Sequence, residues 1–308
     1  MSTKVNYNGV DITNDITVLS CNMTDSNGGK QDYCKISFAN GGKLWQSWQP
    51  QYNDELNIIH GYSDSGIMFI NGIENNEKTY TLILLPTPTT AKKKNSRIWR
   101  DVKLSEIIND VAKNIGFKVK FYGFKDYTYK VKSQANKTDI AFMCEMCAYE
   151  GYNIKIYNKT IVVYDEKTLY LSEANGTVTP DDCTFYSFND VNAPFSAFTV
   201  KYYDILKRQE ISYTATAKNI DGGSDAIILK VDNQAQAERY ANNILQKNNN
   251  YIECGMLKLK NADNFASGSL INLSGFDGKN GKWYISESIF DTVNNDCIFK
   301  INKIKGVD

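Results

Sequence analysis

Histidine is nearly absent from this chain of 308 residues, which holds one, His60. Arginine follows with four residues and proline with five. A Ser-His-Asp or Cys-His catalytic set would have to be built on His60, which falls in a strand-like run. No GxSxG or similar nucleophile setting accompanies it. Long apolar runs are also missing, so no segment suits a bilayer span, and the polar start MSTKVNYNGVDITND has no signal-peptide core. That places the chain in the cytoplasm where it is made. Charge of one sign is not in excess: 35 basic residues balance 35 acidic ones, which argues against a general nucleic-acid binder.

The seven cysteines are an odd number without a regular framework, which suits reduced thiols. Cys144-Glu145-Met146-Cys147 is a single CxxC with no second pair of ligands to complete a zinc site. It lies in mid-helix rather than at a helix start, so the two thiols read as core residues, and neither metal nor cofactor is expected. Gly28-Gly29, Gly41-Gly42 and Gly222-Gly223 lack the Lys-Ser/Thr of a phosphate loop. Carboxylates are numerous, but nothing singles out a glycosidase pair. Trp45 and Trp48, near Tyr52, are fit for a sugar-stacking face, a core or a subunit interface. No active site emerges, and the chain reads as a non-enzyme.

What is abundant is tyrosine, 20 residues within an aromatic content of 12%, favouring strands and subunit contacts. The stretch from Ser133 to Tyr164 organises the rest. Asn136, Thr138 and Asp139 offer caps to a helix whose apolar face is Ile140, Met143, Cys144 and Cys147. Gly151 closes it, and Tyr152–Tyr157 and Ile161–Tyr164 form a hairpin about Asn158-Lys159.

Before this unit, residues 1–90 alternate as strands around Cys34–Phe38, Leu56–His60 and Tyr80–Leu84, with turns at Asn27-Gly28-Gly29, Asn40-Gly41-Gly42 and Asn71-Gly72. LPTPTT then marks a boundary. Lys92–Lys103 is basic and carries Arg97 and Arg100. It suits either a solvated linker face or a contact with an acidic neighbouring subunit. Leu104, Ile107, Ile108, Val111, Ala112 and Ile115 form an amphipathic helix ended by Gly116, and Phe117–Phe121 a strand. From about 175 the pattern is β again, with one helix at about 233–247 capped by Asn233. The expected fold is α+β and mainly β: β-barrel-like units at 1–90 and 173–308 flank a small α+β domain at 91–172.

Five segments in order resemble phage late control protein D and related tail hubs. They are Asp32–Phe38 with Pro50–Ile58, Ser96–Trp99 leading into Leu104–Ile108, Asn136–Gly151, Gln236–Ala241, and Gly268–Leu273. Within Pro50–Ile58, Asn53 stands where the family usually has glycine. The resemblance implies a structural baseplate hub of a contractile phage tail or phage-tail-like particle, such as a tailocin or injection device. It implies a homotrimeric ring between a sixfold tail tube protein and a threefold central spike protein, touching other baseplate proteins, with no stable membrane insertion and no specific nucleic-acid binding. Arg97, Arg100, Trp45 and Trp48 are the candidate interface residues. A tail-associated cell-wall hydrolase and a carbohydrate-binding receptor module using Trp45 and Trp48 are the rival readings.

Overall fold

A computed structural model of the chain describes residues 3–304 except 62, 191–192, 251, 261–264 and 294–295. The N-terminal region contains strands β1 (Thr3–Tyr7), β2 (Val10–Asp11), β3 (Val18–Ser26), β4 (Tyr33–Ala39), β5 (Glu55–His60), β6 (Ser63–Asn75) and β7 (Thr79–Leu85), with a short helix α1 (Leu44–Trp48). They pair in the order β3-β4-β7-β6-β5-β1-β2, each with antiparallel neighbours. Alternation decides which face is buried: Cys34, Ile36 and Phe38 point inward between Lys35 and Ser37. Inward residues from β1 and β3–β7 meet in one cluster with Val5, Met23, Leu56, Ile70 and Leu82, which a sheet can enclose only by curling. Asn71-Gly72, expected as a turn, lies inside β6 at a bulge instead. Asn71 Nδ2 donates to the Phe69 and Thr87 carbonyls there, which supports the bend within the strand.

The middle region holds β8 (Lys94–Lys103), α2 (Leu104–Asn114), β9 (Lys118–Tyr122), β10 (Thr128–Thr138), α3 (Asp139–Tyr149), β11 (Tyr152–Tyr157), β12 (Thr160–Asp165) and α4 (Glu166–Tyr170). Thr138 Oγ1 caps α3 by accepting from Ala141 N at 3.1 Å, and Gly151 follows the helix with φ +84°. The β11–β12 hairpin turns on Asn158 and Lys159, both with positive φ, and β9 joins β12 in parallel. Helix α3 buries Phe142 and Met146 as well as Met143 and Cys147, leaving Ile140 and Cys144 half-buried. The expected single apolar face is thus too narrow, because α3 packs against α2, β10 and β11 and also against a helix from the C-terminal region.

That region comprises β13 (Gly176–Val178), β14 (Cys183–Asp190), β15 (Phe195–Asp204), β16 (Gln209–Thr216), β17 (Gly223–Ile228), α5 (Gln234–Asn249), β18 (Glu253–Leu259), β19 (Leu270–Leu273), β20 (Gly281–Asp291) and β21 (Asp296–Lys303). It has two bodies. Strands β15–β17 form a separate three-stranded sheet under α5, with Val200, Ala237, Tyr240 and Ala241 in its core. The remaining strands surround Leu257, Ile271, Trp283, Phe299 and Ile301.

One antiparallel ladder joins the two β cores. Strand β20 pairs with β19 through its first half and with β3 through its second, Glu287 opposite Ser26 and Asp291 opposite Asn22. Thirteen strands among the described residues therefore make one sheet, running from β14 through β20 and β3 to β2. The architecture is α+β and mainly β, and its two β cores are joined through one continuous sheet.

Candidate assembly surfaces

Of the four residues nominated from the sequence, Trp45 is 1% exposed. Its ring lies 4.3 Å from Phe38 and 5.4 Å from Tyr80, centroid to centroid, with Trp48 edge-on at 5.3 Å. Trp48 packs half-buried on the same core. The pair is a structural cluster, and Trp45 has no ring face to give a sugar or a subunit; the aromatic spacing alone could not separate these roles.

Arg97 is occupied within the chain. Its Nε donates to Gln134 Oε1 at 3.0 Å, and Nη1 to Asp110 Oδ2 at 3.0 Å. Nη2 lies 3.2 Å from Asp139 Oδ2, and the guanidinium sits 4.1 Å over the Trp99 ring. Arginine's planar fork is used here to tie β8 to β10, α2 and α3. Arg100, on the opposite face of β8, is exposed and has no carboxylate within 4 Å among the described residues.

The thiols and the histidine have structural surroundings. Burial pushes the Cys144 thiol up to about 11 and raises that of Cys147, the reverse of what a nucleophile needs. His60 is buried, with Nδ1 2.8 Å from Thr3 Oγ1 and its ring 4.8 Å from Phe290. Among the described residues no group of three His, Cys, Asp or Glu side chains is gathered for a metal ion. Among the described residues no helix is long and apolar enough to cross a membrane.

Two polar junctions fix the regions to one another, and neither was legible in advance. At the first, Lys155 of β11 donates to Asp25, to Asp32 Oδ1 at 2.6 Å and to the Ser26 carbonyl at 2.8 Å. Asp25 Oδ2 also accepts from Ser267 N at 3.0 Å, and Tyr164 donates to Asn27, whose own N–H reaches the Ser286 carbonyl. All three regions meet there. Burial pushes the Asp32 carboxyl up to about 6, with Lys155 pulling the other way.

At the second, the Glu150 carboxylate accepts from Arg239 Nε at 3.0 Å, Arg239 Nη2 at 3.3 Å and Tyr129 OH at 3.0 Å. Beside it Lys132 Nζ donates to Tyr240 OH at 3.1 Å and sits 4.9 Å over the Tyr129 ring. Burial lowers Lys132 to about 8, against attraction from Asp232 and Glu150. These groups clamp α5 onto the middle region, which is a positioning task and uses no reactive group.

What remains free is surface. The β15–β16 hairpin tip presents Ile205 and Leu206, 77% and 96% exposed, with Tyr203 and Ile228 nearby on the outer side of the same sheet. The edge strand β14 exposes Phe185 and Tyr186. The β8–β10 ribbon exposes Ile98 among cations. Such surfaces suit assembly more than chemistry.

No protein-family model matches the chain, and no curated protein sequence does. Solved structures do match in fold. The chain is similar to a 43 kDa tail protein of prophage MuSo2 from Shewanella oneidensis, with 11% identity, a TM-score of 0.74 and coverage of 97% of each chain. It is likewise similar to a tail protein from Neisseria meningitidis MC58, at 10% identity and a TM-score of 0.75, covering 99% of this chain and 97% of that one. The Escherichia coli c3393 protein, described as a type VI secretion component resembling T4 tail proteins gp27 and gp5, matches at 10% identity and a TM-score of 0.63, over 95% of this chain and 75% of its own. The fold is therefore that of phage tail proteins.

Proposed function

We propose that this chain is a structural hub of the baseplate in a contractile phage tail or phage-tail-like particle. Three copies form a ring that seats a sixfold tail tube on one face and holds a threefold central spike on the other. The observation that carries this reading is that the likeness to tail proteins runs through both β cores and the middle region together, 97% of either chain in the Shewanella case. Two β cores per copy, joined through β3 and β20, supply six units from three copies, which is the match a sixfold tube needs. Polar junctions rather than a catalytic cleft occupy the places where the regions meet. Synthesis in the bacterial cytoplasm and incorporation into the tail follow from the same reading.

An epitope-tagged chain expressed with its parent particle tests it. Gold-labelled antibody is expected at the baseplate end of purified particles, with tube and spike proteins recovered alongside the tagged chain. Particles that assemble complete tails without the chain would contradict the proposal.

A further inference from the structure

The junction at Lys155 holds more than an ion pair requires. Its ammonium meets three acceptors: Asp25, Asp32 Oδ1 at 2.6 Å and the Ser26 carbonyl at 2.8 Å. Lys155 is the one cation within 4 Å of either carboxylate among the described residues. The next carboxylate along, Glu287 opposite Ser26, is taken up by Lys300 and Lys30. One amine therefore serves two acids, and Asp32, the deeper of them, is 5% exposed.

The two carboxyls are held differently. Asp25, half-buried on β3, has one oxygen on Lys155 and receives the Ser267 N–H on the other, Oδ2, at 3.0 Å. That N–H lies where charge gathers when a nucleophile adds to the Asp25 carboxyl carbon. Asp32 Oδ1 is fixed by the Ser26 N–H at 2.8 Å as well as by Lys155. Burial pushes its carboxyl up to about 6, with Lys155 pulling down and the Asp25 charge pushing up. It can therefore take and return a proton near neutral pH. The Lys155 Nζ is pinned between β3 and the turn that follows it, which removes the search that slows an amine and an acid in water.

We propose that Lys155 and Asp25 condense into an isopeptide bond, an autocatalytic cross-link between β11 and β3, with Asp32 as the proton carrier. Proton exchange within the cluster first gives a neutral amine and a neutral Asp25 carboxyl. Nζ then adds to Cγ and passes one of its protons to Asp32, while the Ser267 N–H holds the oxyanion. The Asp25 hydroxyl leaves with the Asp32 proton as water, the carbonyl re-forms, and Asp32 is a carboxylate again. One C–N bond forms, one C–O bond breaks and one water departs, so the step needs no oxidant or cofactor. The link joins positions 130 apart and makes the union of the N-terminal and middle regions covalent, where salt no longer screens it. It goes beyond the hub reading and does not depend on it.

Intact-mass measurement of the full chain, unfolded in denaturant, decides it. The wild-type chain is expected about 18 Da, one water, below the mass its sequence gives. Its tryptic digest should contain one branched peptide joining the segments around Asp25 and Lys155. Lys155→Arg and Asp25→Ala should each keep the full sequence mass. Asp32→Asn, which retains both reacting groups, should link about a hundredfold more slowly, read as the linked fraction against time after synthesis. A wild-type chain at its full sequence mass overturns the proposal, whatever the variants do. So does a water loss that Lys155→Arg keeps, which would place it at an aspartyl succinimide such as Asp277-Gly278. Linkage at the wild-type rate in Asp32→Asn overturns the part given to Asp32.

Discussion

Phe290 of β20 lies against His60 of β5, ring centroids 4.8 Å apart and planes tilted by 37°. The two residues are 230 positions apart in sequence and belong to different β cores. Phe290 also packs on both clusters, so one side chain continues inside what the β3–β20 ladder does with backbone hydrogen bonds. The chain's single histidine thus holds a seam, flanked by Thr3 and Phe290.

Removing that wedge should weaken the union of the two cores. Phe290→Ala is expected to cost roughly 2–3 kcal/mol, less than a fully buried phenylalanine because the ring is only partly covered. Denaturant unfolding followed by tryptophan emission reads it. Hydrogen exchange should rise first in β3 and β20, and uniform exchange across the molecule would contradict the role given to the seam.

The clamp on α5 makes a sharper case. The Glu150 carboxylate is fully buried and Arg239 supplies two of its three donors. Arg239→Ala should destabilise the α5 region by roughly 3 kcal/mol, because a buried charge is left with too few partners. Combining it with Glu150→Gln should recover part of that loss. Strict additivity of the two changes in urea melts would show that they do not act as a pair.

Lys132 gives a pH signature. Burial lowers it to about 8 from its usual 10.5, so the folded chain gives up this proton before the unfolded chain does. Between about pH 8 and 10.5 the unfolded state binds more protons, and stability from this group rises with pH across that window. Below pH 8 the buried ammonium carries its full penalty. Lys132→Met should therefore match or exceed wild-type stability at pH 7, by up to roughly 3 kcal/mol, and lose the upward slope. A variant that keeps the wild-type slope would show that another group titrates.

Helix α3 separates core packing from thiol chemistry. Met143→Ala opens a cavity and should cost roughly 2–5 kcal/mol. Cys144→Ala, at a half-buried position, should cost clearly less. The Cys144→Ala/Cys147→Ala double variant should leave the metal content of the purified protein unchanged, and loss of a stoichiometric ion would contradict the core assignment.

Where apolar alternation was strong, the elements were legible: β4, β5, β7, α2, α3, the β11–β12 hairpin and α5 with its Asn233 cap. Asn53 is informative in another way. It stands where the tail hubs that the sequence resembles usually have glycine, and it takes φ +73°, as one of the few residues tolerant of that conformation, while its Oδ1 accepts from Thr89 N and Oγ1. The misses have a common cause. The basic stretch read as linker or contact is strand β8, and its partner β10 went unread, because Arg97, Lys132 and Gln134 share their inward positions with Trp99, Val102 and Tyr129 and break the apolar alternation. Buried polar side chains satisfied across a ribbon leave no period of two in hydrophobicity. The Glu150 clamp and the β3–β20 ladder depend on partners far away in the chain, and no local pattern announces them. Of the nominated surface residues, Arg100 stands free, whereas Trp45 and Arg97 are taken up within the fold.

The rotational symmetry of this chain in its particle tests the hub reading most directly. A cryo-electron reconstruction of the baseplate, refined without imposed symmetry, is expected to show three copies in a closed ring, with six β cores facing the tube. Six copies, a single copy, or copies placed away from the tube axis would contradict it.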